Sequence, residues 1–119
     1  MPSPISRRLY IQRVLDLYRL APGTTGHLRR SDRQLAGTLH DRGLSLEVVH
    51  TALLLAVARR SFRSASAAAL APIASLHYFR PVIDEVITEP PEPGYLGYIQ
   101  YKLAAIAPEL IAAADHQLP

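Results

Sequence analysis

The sequence predicts an all-α fold, a compact bundle of five to six helices around one central buried helix at about residues 45–63. Three observations carry this. Residues 52–58 are apolar on every face, and a helix apolar all round is buried among other helices. The segments on either side repeat apolar residues at the 3.6-residue period of amphipathic helices. Caps, prolines and glycines punctuate them at the right places. The length of 119 residues fits a single domain with its own core. Hydrophobic residues make up 49% and charged residues 19%, which places the chain with globular rather than disordered sequences.

Pro2 and Pro4 make an irregular lead. Ser6 can cap a first helix over residues 7–20, with Tyr10, Val14 and Leu17 on one face and Ile11, Leu15 and Tyr18 beside them. Arg7, Arg8, Arg13 and Arg19 are left for its outer side, and Ala21-Pro22-Gly23 stops it. Ser31 and Gln34 are spaced as a capping box for a second helix over residues 32–42. Leu35, Ala36 and Leu39 give it an apolar face and Gly43 a C-terminal stop. Ser45 caps the central helix, and Leu44 and Val49 are placed as a hydrophobic staple. The apolar run is too short for a membrane span, which needs roughly 20 residues. It ends in Arg59-Arg60-Ser61-Phe62-Arg63, basic residues that suit a helix C-terminus.

Residues 64–74, rich in Ala and Ser, read as a loop with a helical turn. Ser75 caps a fourth helix in which Pro81 marks a bend or a late start. Residues 89–94 read as a Pro-rich, acidic linker to a C-terminal helical segment, residues 95–115. There Leu96, Ile99, Leu103 and Ile106 form the core stripe, Tyr95, Tyr98 and Tyr101 a neighbouring one, and Pro108 opens a short last helix.

Charge is lopsided. Residues 1–63 hold eleven arginines against four acids, while residues 64–119 hold two cations against six acids. A basic first half points to a polyanion partner. Arg29, Arg30, Arg33, Arg59, Arg60 and Arg63 are the leading candidates, because a guanidinium fork fits phosphate oxygens bidentately. Salt bridges to Asp32, Asp41 or Glu47 compete for some of them. Tyr78 is a candidate for base stacking, and Tyr95, Tyr98 and Tyr101 for a partner or oligomer contact. The tight turn between the second and central helices resembles a helix-turn-helix. A recognition helix, however, must offer polar side chains to the groove, and the central helix is apolar through its middle.

Other chemistries find little footing. There is no cysteine, hence no disulfide framework, thiolate chemistry or cysteine zinc site. The five histidines show no metal-ligand spacing. Gly23 and Gly26 are not followed by Gly-Lys-Ser/Thr, so no nucleotide loop is expected. Asp84-Glu85 reads as a helix-surface acid pair. No catalytic residues, metal or cofactor are expected, and the protein reads as non-enzymatic. The N-terminus lacks an apolar run after its charges, so no signal peptide, no membrane association and a cytoplasmic location are expected.

Residues 44–53, Leu-Ser-Leu-Glu-Val-Val-His-Thr-Ala-Leu, and residues 75–83, Ser-Leu-His-Tyr-Phe-Arg-Pro-Val-Ile, together resemble the C-terminal domain of DnaD-type replication proteins. Tyr78, Phe79, Val82 and Ile83 match the second motif of that family, whose Trp position holds Val86 here. The resemblance spans about residues 6–88. It implies a small helical domain that binds DNA with little sequence preference, often oligomeric, in replication initiation. The leading expectation is therefore a DNA-binding protein of replication or a mobile-element system, acting mainly through phosphate contacts. The rival is a helical interaction subunit, for example a small subunit of a CRISPR-type nucleoprotein complex, docking through its apolar tail and tyrosine stripe.

Overall fold

A computed structural model describes residues 5–63 and 66–116 of the chain, with side chains as far as residue 113. The irregular lead expected at Pro2 and Pro4 lies outside the described residues, as does Ser64. Among the described residues there are six α-helices: α1 Arg7–Leu20, α2 Arg30–Asp41, α3 Leu46–Ser61, α4 Arg80–Thr88, α5 Pro93–Leu103 and α6 Pro108–His116, with a 3₁₀ turn at Leu76–Phe79 before α4. The all-α bundle is the fold observed. None of these helices is long and apolar enough to cross a membrane.

The axis is α3. Leu46 and every residue from Val49 to Ala58 are buried. Helices α1, α4, α5 and α6 pack around it, so its apolar faces are all used. Removing a leucine side chain from such a site costs about 2–5 kcal/mol. The helix starts where Ser45 Oγ accepts the Val48 N–H at 3.2 Å, which satisfies one orphan donor. Its last helical residue is Ser61, so Arg63 leaves from the connection rather than from the helix.

The first helix keeps its expected bounds. Ser6 Oγ accepts the Leu9 N–H at 3.1 Å, and Tyr10, Val14, Leu15, Leu17 and Tyr18 are buried. Helix α2 begins earlier than expected and by another device. Arg29 is its cap, and Asp32 Oδ2 accepts the Arg29 N–H at 2.9 Å. The expected Ser31–Gln34 box is displaced because an ionised carboxylate is the stronger acceptor. Gly43 ends the helix at φ +76°. Leu44 N–H donates to Leu39 O at 3.2 Å and Gly43 N–H to His40 O at 2.9 Å, a Schellman turn that returns the chain directly into α3.

The segment between α3 and α4 forms no helix before Leu76 among its described residues, only a turn at Ser66. Instead Ile73, buried, pairs with the segment after α1. Its N–H donates to Gly23 O at 2.7 Å, and its carbonyl accepts the Thr25 N–H at 2.9 Å. The fourth helix is split. Ser75 caps the 3₁₀ turn, accepting the His77 N–H at 3.1 Å, and α4 starts at Arg80 with Pro81 in its first turn. There Pro81's missing N–H costs nothing, so the late start, not a bend, is what it marks.

The linker is also shorter than expected, since Pro93 opens α5 two residues before Tyr95. The C-terminal segment docks on its own domain: α5 packs on α3, and α6 on α1 and α3. Ile99, Leu103, Ala107, Leu110 and Ala113 join the core. His50 is buried at 3% exposure and donates its Nε2–H to Leu110 O at 2.7 Å. Ile106 was expected in the core stripe but is 48% exposed. Helix α5 ends at Leu103, and the turn that follows directs Ala107 inward in its place.

Candidate nucleic-acid interface

The connections at residues 21–29 and 66–75 meet at one end of the bundle, joined through Ile73. Tyr18, fully buried, donates its hydroxyl proton to Ile73 O at 3.4 Å. Burial, reinforced by the Asp32 charge, raises its pKa. The C-terminus of α3 and the N-terminus of α2 open onto this end.

Arg60 leaves α3 beside Gly23. That glycine has φ +90°, and a Cβ there would stand 3.0 Å from Arg60 Nε, so both the backbone and the close approach require glycine. The Arg60 guanidinium donates to Ala71 O and lies 5.8 Å from the Tyr78 ring centroid, a cation–π distance. Arg63 Nη1 donates to Ala68 O at 2.8 Å. Among the described residues each of these arginines donates to a carbonyl and neither has a carboxylate partner. A guanidinium carries five N–H donors, so donors remain for a ligand. Arg59, Arg60, Arg63, Leu70 and Tyr78 line one cleft of about 350 Å³. Arg60 and Arg63 line a second, of about 370 Å³, with Gly23 and Leu70. Tyr78 is 45% exposed.

Arg59 shares the cleft but not the free charge. It forms a two-pronged ion pair with Glu85, one prong at 3.1 Å. The hydrogen bond from Arg59 lowers the Glu85 pKa, and the same bond raises that of Arg59. Asp84, the other half of the acid pair, holds Arg42 at 3.3 Å. Both acids therefore act as structural partners of arginine.

The arginines at the start of α2 are placed differently. Arg29 and Arg30 are exposed and line neither of these clefts; at the nearby junction with the 3₁₀ turn, His77 Nε2–H donates to Ser31 O at 3.3 Å. Asp32 ties that junction together. Fully buried, it accepts the Ser75 hydroxyl at 2.9 Å and the Leu76 N–H at 3.0 Å, besides the Arg29 N–H. Burial alone pushes its carboxyl pKa up, but those three donors and the nearby His77 outweigh burial and lower it. Arg33 points elsewhere, into a groove of about 740 Å³ lined by Arg7, Arg8, Leu9 and Ile11. The six arginines thus fall into three places, and one of them is neutralised. The convergent set is Arg60, Arg63 and Tyr78.

Tyr95, Tyr98 and Tyr101 stand 53%, 56% and 79% exposed on α5, so none is spent on the core. Phe62 extends this aromatic face. It is 46% exposed, with Lys102 Nζ 5.6 Å from its ring centroid. The sequence pattern gives no functional role to Phe62 or Lys102, and places Arg7 and Arg8 only on the outer side of the first helix. The one signal for Phe62 was an aromatic residue set among arginines beyond an apolar helix. Among the described residues no three His, Asp or Glu side chains gather as a metal site.

Comparison with protein-family models, curated proteins and solved structures returned no match.

Proposed function

We propose that the chain is a non-enzymatic nucleic-acid-binding protein that holds DNA mainly by its phosphates, in cytoplasmic replication or a mobile-element system, in the manner of a DnaD-type domain. One observation carries the reading: Arg60 and Arg63, without a carboxylate partner among the described residues, converge with the half-exposed Tyr78 on one cleft. Phosphate contacts give affinity without sequence information, and a half-exposed ring beside them suits a neighbouring base. The DnaD-type expectation rests on Tyr78, Phe79, Val82 and Ile83; Phe79 and Ile83 are buried and Tyr78 is left outside.

The test is fluorescence anisotropy with a labelled DNA oligonucleotide over a salt series. Affinity falls linearly with log salt, and R60A/R63A reduces the slope by about 2, roughly 1 per lost phosphate contact. Absence of binding, or binding without a salt slope, rejects the reading. The exposed face of Tyr95, Tyr98 and Phe62 favours the second reading, a helical interaction subunit of a larger nucleoprotein complex. That reading gains if the free chain fails to bind DNA but co-purifies with a protein partner through this face.

A further inference from the structure

We infer that the groove between α1 and α2 receives the proline-rich acidic segment, residues 87–92, of a second copy of this chain, giving a head-to-tail self-association. The groove is the most voluminous of the clefts described, about 740 Å³. Its arginines are unequal. Arg7 is paired with Asp41 at 3.0 Å, whereas Arg8 and Arg33 have no carboxylate partner among the described residues. Its wall is apolar: Leu9 is 40% exposed and Ile11 half-buried. Bare phosphate has no use for that surface. An acidic peptide with an apolar residue does.

The same chain carries such a peptide. Ile87 is 40% exposed, and Glu89 and Glu92 are exposed without a cation partner among the described residues. Between them stand Pro90 and Pro91, with φ locked by their rings. Glu89 turns out of α4 at φ −144°, ψ 78°, and Glu92 is extended at φ −62°, ψ 142° where α5 begins, so the two carboxylates flank the prolines three residues apart on a short connection between two helices. Such a segment is stiff before it binds, so docking orders little chain. None of residues 87–92 lines the groove of its own copy, and α4 packs instead on α3 and the 3₁₀ turn. The donor surface and the acceptor surface are different, so the contact is heterologous and propagates from copy to copy unless it closes into a ring. This contact does not depend on the nucleic-acid reading.

Sedimentation velocity of the full chain over a concentration series tests it. The wild type associates with rising concentration, and salt weakens the association. R8E/R33E and E89K/E92K each weaken it by about tenfold or more, as expected for losing two ion pairs and adding repulsion. An equimolar mixture of the two variants restores it, because each reversed groove then meets a segment of opposite charge. All four positions are on the surface, and thermal melts check that both variants fold; if one does not, salt dependence and the other variant decide. A chain that stays monomeric overturns the proposal. So does association that survives both reversals. So does a groove reversal that weakens DNA oligonucleotide binding as much as R60E/R63E without touching self-association, which marks the groove as a second phosphate track.

Discussion

The start of α2 and the end of α3 handle charge in opposite ways. At the start of α2 one carboxylate, Asp32, is sealed from solvent and accepts three hydrogen bonds. At the end of α3 two guanidiniums, Arg60 and Arg63, donate to carbonyls, have no carboxylate partner among the described residues, and line open clefts. The first site is complete and the second is not. A charge with every partner supplied from within the fold holds the fold together. A charge with unused donors at the surface is available for something else. Arg59 shows the boundary, since Glu85 turns a residue of the second kind into one of the first.

The contrast breaks most visibly at Asp32. Asp32→Ala leaves the Arg29 and Leu76 N–H groups and the Ser75 hydroxyl without their acceptor. Unfolding in urea should show a loss of about 3 kcal/mol, and an unchanged midpoint refutes a structural role. Asp32 also sets an acid limit. Its folded pKa lies below the unfolded value, so its contribution is full above about pH 4 and is lost as pH falls through the folded pKa. The alanine variant should therefore lose less stability than the wild type over that acid range.

A smaller effect sharpens the comparison from the other side. Glu85→Gln frees Arg59 while leaving its hydrogen bond possible. DNA affinity should rise by about threefold to tenfold, with a steeper salt slope, while the melting temperature stays close to that of the wild type because exposed pairs add little. No gain in affinity would mean that Arg59 does not face the ligand. The smallest effect is at Gly37, buried in α2 beneath the Arg7 guanidinium. Gly37→Ala displaces only the far end of that flexible side chain, and alanine is the better helix former by about 1 kcal/mol. A rise in stability of up to that amount is expected in thermal melts. A fall would show that the Arg7–Asp41 pair matters more than its exposure suggests.

What was legible in the sequence was local. Ser6, Ser45 and Gly43 act on their immediate neighbours, so the bounds of α1 and the turn into α3 follow from a few consecutive residues. The all-round apolar run of α3 announced its central place for the same reason. What escaped depends on partners far along the chain. Asp32 is defined by Ser75 and Leu76, and Arg59 by Glu85; no spacing rule connects such pairs. Arg33 and Arg60 look alike in one dimension and diverge only when the helices pack. Ile106 fell out of the core because α5 stopped one turn earlier than its periodicity continued. The candidate site was thus half readable: its residue types and the end of α3 that bears them were apparent, whereas the sorting of free from neutralised arginines was not.

A cylinder greasy on all sides has no preferred rotation in its socket, since any face satisfies the surroundings about equally well. His50 breaks that degeneracy. Its directional bond to the Leu110 carbonyl indexes the cylinder like a keyway on a shaft. Fixing the rotation there fixes the compass bearing at which Arg60 emerges ten residues later. The final helix, remote in sequence from the basic end, thereby aims it.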